Sequence, residues 1–461
     1  MTISTDPHDQ PITLDSDPYA WFAHMRKTEP VWRGTVMDTS MTPPELLPAE
    51  EWTLFDFNSV FAAFRDDELF GSEQYNNTIG LVFGPTILGM HGKQHHDHRS
   101  LISKAFRQSA LERWEPAVID PICDQLVDDI KNEGGADLIT AVTLEFPTRV
   151  TAALLGLPEE DLDLFRRLSF DLISIYIDIE AGLNASVELQ TYFQQQVDQR
   201  RTKMTNDIIG DLVGAEIDGE KLTDEAIISF LRLLLPAGLE TTFRSSSNLL
   251  YLLLTHSDQL EALQRDRELI PAAIEEGIRY ETPLVSVPRT TTRPVEVNGV
   301  PIGKGAQVNL CMGSANRDET RWPDADTFDI HRARRAHVSF AGGIHSCLGM
   351  HLARVETRAM LNSLFDRVTD LELVPDEEAK IVGMPFRSPK TLPVTFRASG
   401  GAAPRSCTMW AGRGRSRISS SIHHAPARFS SRWQPRACAT RMTTSSRATW
   451  RFPTRSLAST V

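Results

Sequence analysis

The chain has 461 residues, with 48 basic and 61 acidic side chains and a formal net charge of −13. Hydrophobic residues make up 41% and charged residues 24%, a globular composition that excludes a mainly disordered, collagen-like or disulfide-scaffold chain. The acidic balance argues against nucleic acid as the bulk partner, because phosphate binding needs a basic face, though it leaves room for a local basic patch.

Taken in chain order, the polar and acidic start carries no signal h-region and no Arg-rich transit helix. Apolar residues at three- and four-residue spacing then predict helices over 17–27, 57–65, 94–106, 110–130 and 138–155. Further helices follow over 161–179, 185–204, about 223–254, 268–281 and 347–364. Strand signals are few: 31–36, 52–55, 294–297, 300–302, 307–312 and 392–396. Asn298-Gly299 between two of them reads as a type I′ hairpin turn. Many helices and a minor sheet predict a mainly α protein with small β-sheets, an α+β fold. The longest apolar stretches, 233–239 and 249–254, are too short to cross a bilayer, so no membrane anchor is expected.

Five cysteines, Cys123, Cys311, Cys347, Cys407 and Cys438, form no C-x-x-C pair. Zinc ribbons and four-cysteine iron–sulfur clusters are thereby disfavoured, and the odd count suits a reducing, cytoplasmic setting.

Residues 1–400 read as one domain, without a repeat or an internal linker. Residues 401–461 differ, with eleven Arg, three Trp and no Lys, Asp or Glu. One reading is an Arg-rich nucleic-acid or membrane tail. The favoured reading is a frameshifted translation of a GC-rich gene, expected to be disordered. Without that segment the net charge of residues 1–400 is −24.

Residues 340–349 read FAGGIHSCLG, and a helical pattern follows. Gly342 and Gly343 permit a tight turn ahead of Cys347. A cysteine at a helix N-terminus gains free N–H groups and the dipole, which stabilise a thiolate. Phe340 would pack near the sulfur and exclude water. A buried core cysteine is the commoner fate of such a residue taken alone.

Three other patterns carry possible chemistry. Glu276 and Arg279 form E-x-x-R on one helical face, close enough for an ion pair, though most such pairs are solvated. In the long helix, Pro236 removes an N–H, so the carbonyl of Arg232 loses its donor and the helix should distort there. Gly238 leaves room for a ligand, and Glu240-Thr241 sets an acid beside an alcohol, as proton delivery requires. His95 and Arg99 lie four apart and project together. Around them His91, His96, His98 and Asp97 leave open a metal site or a solvated cluster.

The cysteine string resembles the F-x-x-G-x-H-x-C-x-G signature of the cytochrome P450 family at every fixed position. The other motifs resemble that family's in the same order, over roughly residues 15–398. This resemblance implies the P450 fold and haem b (iron protoporphyrin IX) with Cys347 as the metal ligand, in the loop carrying Phe340 and Gly349. It implies that His95, Arg99, Arg289 and His345 hold the haem propionates. Glu240 and Thr241 would relay protons and bind oxygen, and Glu276, Arg279 and Arg332 would form a structural ion pair bracing the cysteine region.

The activity implied is a monooxygenase acting on an apolar small molecule, as a cytoplasmic monomer. Ferredoxin and ferredoxin reductase would supply electrons, docking near Arg332, Arg334 and Arg335. A haem-thiolate peroxygenase and a non-catalytic haem- or ligand-binding protein are the alternatives. The substrate pocket is expected from the variable apolar segments: Leu81, Phe83, Ile87, Leu234, Ala237, Val285, Val287 and Phe386. Terpenoid, fatty acyl or sterol-like compounds suit such walls. His91, His96 and His98 have no counterpart role.

Overall fold

The longest element is a helix of 32 residues, Asp224–Thr255. Thr223 caps its start, accepting a hydrogen bond from the Ala226 N–H, and Asp224 and Glu225 in the first turn complement the helix dipole. Its flanks are apolar nearly all round, which is the pattern of a helix enclosed by others. The two apolar stretches judged separately in the sequence thus join into one helix, long and apolar enough to cross a membrane. However, 67% of that apolar window is buried inside the fold, as in a core helix. It runs unbroken through the buried Pro236.

This computed structural model describes residues 17–36, 47–174, 178–217, 219–375 and 379–400. The expectation for the segment 401–461 lies outside the described residues. Helices Glu145–Leu154, Leu162–Ile173, Ile179–Thr202, Ile270–Tyr280 and Met350–Arg367 surround the long helix. Their inward residues, among them Leu235, Leu239, Leu250, Phe146 and Leu361, form the principal core. Asp56, Asp178 and Asp207 cap their own helices with side-chain carboxylates, which fixes where each begins. The Asp178 cap starts its helix six residues before the predicted position 185.

Two predicted helices are interrupted by π turns. Residues 110–130 divide at Glu115–Ile119, where Pro116 is placed, and 138–155 begins with a π turn over Ile139–Thr143. A proline lacks the N–H that a regular ladder needs, which accounts for the first break. The last helix starts at Met350, three residues after Cys347.

The main sheet runs in the order Val31–Trp32, Glu51–Leu54, Gln307–Cys311, Ser286–Thr291, Phe70–Gly71. A second joins Val368–Leu373, Pro393–Ala398 and Gly135–Asp137. The hairpin Val295–Val297/Val300–Ile302 turns on Asn298 and Gly299, both at positive φ (50° and 81°), as a type I′ turn requires. The strand Ser286–Thr291 was not foreseen. It pairs with residues more than 200 positions away, Phe70 with Thr291 and Gly71 with Thr290.

Candidate active site

The loop before Met350 is held by the Cys347 N–H donating to the Phe340 carbonyl at 2.9 Å. Its turns are made by Ala341 (φ 56°) and Gly343 (φ 65°), whereas Gly342 is extended. A Cβ on Gly343 would lie 2.1 Å from the Phe64 carbonyl oxygen, so only glycine fits there. The conformational demand therefore falls on Gly343 and Ala341, not on the two glycines as a pair.

Cys347 is open to the cleft at its surface but embedded in dense protein. That density pushes the thiol pKa up. The N–H groups of Gly349 and Met350 and the charges of Arg99 and Arg354 pull it down without prevailing. The helix-terminal N–H groups thus act in the sense expected from the sequence, against a burial cost that works the other way. The Arg354 guanidinium lies 4.5 Å from the centre of the Phe340 ring, which it covers.

Four basic side chains from a helix, a strand and the loop itself meet here. His95 is buried on helix Gly92–Ser103, with its ring 4.5 Å from that of His345. Arg99, one turn on, donates to the Ser346 carbonyl at 2.6 Å. Arg289 is buried on its strand, donates to the Pro288 carbonyl at 2.8 Å and lies over the Phe64 ring. Neither arginine has a carboxylate ion-pair partner among the described residues. His95 Nε2 is buried with no hydrogen-bond partner. Burial, then the charges of Arg289, His95 and Arg99, lower the His345 pKa to about 3. Burial and the neighbouring cations thus favour the neutral imidazole.

The alternative metal site is not formed. Among the described residues no three His, Cys, Asp or Glu side chains are placed to share an ion. His91 turns to Glu73 (3.4 Å), His98 Nδ1 approaches Met90 Sδ (3.0 Å), and His96 is exposed.

On the long helix, Ala237 is exposed and Thr241 half-buried, so this face has open surface. The Thr241 hydroxyl donates to the Ala237 carbonyl at 2.9 Å. Gly238 does not face the cleft: a Cβ there would meet Thr151 Oγ1 at 3.2 Å, so the glycine serves helix packing. Glu240 is 3% exposed and paired with Arg244 on the same helix.

Away from the cleft, Arg279 grips both Glu276 oxygens, and Arg332 Nε reaches Glu276 Oε1 at 3.1 Å. The two arginines also bond carbonyls of Ala325, Thr327, Pro323 and Asp324, which ties down the segment leading to the cysteine loop.

The pocket expectations divide. Leu234, Ala237 and the exposed Leu81 have open surface, and Phe83 is buried beneath helix Gly80–Phe83. That short helix packs on the long one, because Gly84 abuts Ser229 and Arg232. Ile87 is buried in the principal core. Phe386 is half-buried with its ring 5.6 Å from the Arg244 guanidinium. Val287 shares a strand face with Arg289 by two-residue alternation. Val285 is a correction. It is fully buried in the cluster of Tyr19, Phe22, Phe55 and Cys311, and its N–H and carbonyl bond Pro385 and Gly313.

Several partners carried no sequence signal. Ser72 Oγ lies 3.1 Å from His345 Nε2, and the charge of Arg289 acts on the Tyr75 phenol. Both are delivered by the pairing of Phe70–Gly71 with Ser286–Thr291, which no local pattern announces. Arg244 could have been noticed from its four-residue spacing to Glu240.

The family model of cytochrome P450 matches residues 162–382. The cyclomarin C epoxidase CymV of Salinispora arenicola is 33% identical over 82% of this chain and 96% of its own. The cytochrome P450 monooxygenase PikC of Streptomyces venezuelae is 32% identical, over 83% and 92%. Among solved structures, CYP109E1 of Bacillus megaterium in complex with testosterone aligns with a TM-score of 0.73 at 31% identity. That alignment covers 82% of this chain and 99% of that one.

Proposed function

The chain belongs to the cytochrome P450 family, and from that premise we propose how its own residues carry the reaction. It is a haem-thiolate monooxygenase, served by an external redox partner and acting on a small molecule. Bound haem b supplies the oxygen-activating iron, and thiolate ligation favours cleavage of the O–O bond. Relatives named as an epoxidase and a monooxygenase favour this over the peroxygenase alternative.

The residues suit that group. One thiol lies open to the cleft, and at Gly349 a Cβ would meet nothing within 4 Å, so a flat group can approach the backbone. Two arginines without acid partners and the unpartnered His95 Nε2 suit a group bearing two carboxylates. The meeting of this basic cluster with Cys347 is the observation that carries the reading.

Cys347 is the proposed ligand, its sulfur sheltered by Phe340. His95, Arg99, Arg289 and His345 hold the carboxylates, His345 as a neutral donor. Thr241, lining the cleft, and Glu240 behind it move protons inward. Glu276, Arg279 and Arg332 fix the segment that leads into the cysteine loop.

Leu81, Leu234, Ala237 and Phe386 offer apolar walls, so the substrate is an apolar small molecule. The testosterone complex of CYP109E1 favours a sterol-like one. The electron donor is an acidic ferredoxin, itself reduced by a reductase. It would dock on the cysteine side, where a crevice of about 570 Å³ is lined by Arg332, Arg334, Arg335, His351, Arg354 and Arg358. The cysteines Cys123, Cys311 and Cys347 are free thiols, which suits a cytoplasmic enzyme. Residues 401–461 are the product of a shifted reading frame, a reading that full-length detection in native protein by mass spectrometry would overturn.

The test is spectroscopic. Reduced protein under carbon monoxide is expected to show the family's red-shifted thiolate band, and Cys347→Ser to lack it. NADH consumption with surrogate ferredoxin and reductase then follows, with a spectral-shift screen for substrates. A folded, haem-loaded wild type without the band would overturn the Cys347 assignment.

A further inference from the structure

Glu240 is 3% exposed, and among the described residues all its hydrogen bonds come from one partner. Arg244 donates to Glu240 Oε1 from Nε at 2.7 Å and again from Nη2. Glu240 Oε2 is buried with no partner. A carboxylate held by one oxygen, with the other bare in the interior, is an uncommon arrangement, because an unsatisfied buried acceptor costs about 1–3 kcal/mol.

Arg244 is itself held in place from outside the helix. Its Nη1 donates to Ser388 Oγ at 2.9 Å, and its guanidinium lies 5.6 Å from the Phe386 ring centre. Ser388 and Phe386 belong to the Ile381–Val382/Ser388–Pro389 hairpin, so a separate element sets where Arg244 sits. Gly383 allows that hairpin to close, since at φ 105° a Cβ would lie 2.2 Å from the Phe386 carbonyl oxygen.

We propose that Arg244 is the positioning residue of the proton-delivery acid: it fixes Glu240 by Oε1 and leaves Oε2 as the only oxygen available to carry a proton. The proposal rests on the reading of Glu240 and Thr241 as the proton path. In one transfer, a water admitted beside the buried Oε2 relays to it a proton from bulk hydronium, and Oε2 passes a proton toward the Thr241 hydroxyl. That hydroxyl releases its own proton to the cleft, so Glu240 returns to carboxylate and Thr241 to alcohol. Phe386, which the sequence places on the substrate pocket, touches the same guanidinium, so a substrate pressing on that ring would act on the acid through Arg244.

The experiment is a double-mutant cycle on the haem-loaded enzyme with Glu240→Gln, Arg244→Gln and both together. Its readouts are turnover, the fraction of electrons lost to peroxide, and the solvent isotope effect. Arg244→Gln alone is expected to slow turnover about tenfold, less than the roughly 10²–10⁴-fold of a general acid–base group itself because the acid remains, with more peroxide and a larger isotope effect. In the Glu240→Gln background it should add less than about twofold, because coupled residues are non-additive. A readout apart from activity is the infrared carboxylate band of Glu240, assigned by its loss in Glu240→Gln, which should shift in Arg244→Gln. Equal effects of Arg244→Gln in both backgrounds, or lowered thermal stability with coupling, isotope effect and band unchanged, would overturn the proposal. If Glu240→Gln itself changes neither coupling nor isotope effect, it is the underlying reading of Glu240 that fails.

Discussion

Arg279 binds Glu276 through two parallel hydrogen bonds of 2.7 Å, Nε to Oε2 and Nη2 to Oε1, with both side chains almost wholly buried. An E-x-x-R pair on a helix surface contributes little, because water competes for both charges. Here the remaining donors of Arg279 are taken by the carbonyls of Asn316, Ala325 and Thr327, so removing either partner strands a charge inside the fold. Glu276→Gln or Arg279→Ala should cost about 3–5 kcal/mol in denaturant unfolding. Arg279→Lys should not rescue it, because an ammonium cannot make both parallel bonds.

Arg99 and Arg289 reach the cysteine side of the cleft from a helix and from a strand, and neither has an acid partner among the described residues. If they hold the haem carboxylates, Arg99→Ala and Arg289→Ala should each weaken haem retention about tenfold, as the loss of a charge-assisted bond predicts. Transfer of haem to an acceptor globin measures this. Unchanged transfer rates in both variants would remove the assignment.

Glu275 supplies an acid-labile contribution to stability. Burial alone would raise its pKa, but hydrogen bonds from His337 and Arg354 and the charges of both bring it down to about 2. Arg354 contacts both oxygens, at 2.5 and 3.0 Å. The folded value lies below the ordinary glutamate value of 4.5, so the folded state binds fewer protons. The stabilisation is full above about pH 4.5 and fades as pH falls toward 2. Glu275→Gln should therefore lose about 1.5–3 kcal/mol at pH 7, and its deficit against wild type should shrink on acidification. Unfolding curves between neutral and acid pH would show it.

Arg334 and Arg335 are exposed and line the crevice that also holds Glu275, Glu276 and Arg354. Reversing both to Glu should slow reduction by ferredoxin and flatten its dependence on ionic strength, since a charge pair across an interface acts mainly on the association rate. Stopped-flow reduction at several salt concentrations tests this. Unchanged kinetics and salt dependence would exclude docking there.

The sequence by itself determined what rests on local spacing. The long apolar helix, the Asn298-Gly299 hairpin and the three-residue approach of Glu276 to Arg279 follow from helical and turn periodicity, which a short window contains. The cysteine string and the motif order likewise carried the family, as the matched relatives bear out. Tertiary structure decided what depends on residues distant in the chain. Pairing of Phe70–Gly71 with Ser286–Thr291 brings Ser72 to His345 and Tyr75 to Arg289. It also decided direction: Gly238 faces Thr151 and not the cleft, and Val285 turns into the cluster around Phe22. Charge state was decided there too, because burial and neighbouring charges set it, and both are summed over the surrounding fold. Thus His345 is held neutral and the Cys347 thiol is pushed up despite its place before a helix.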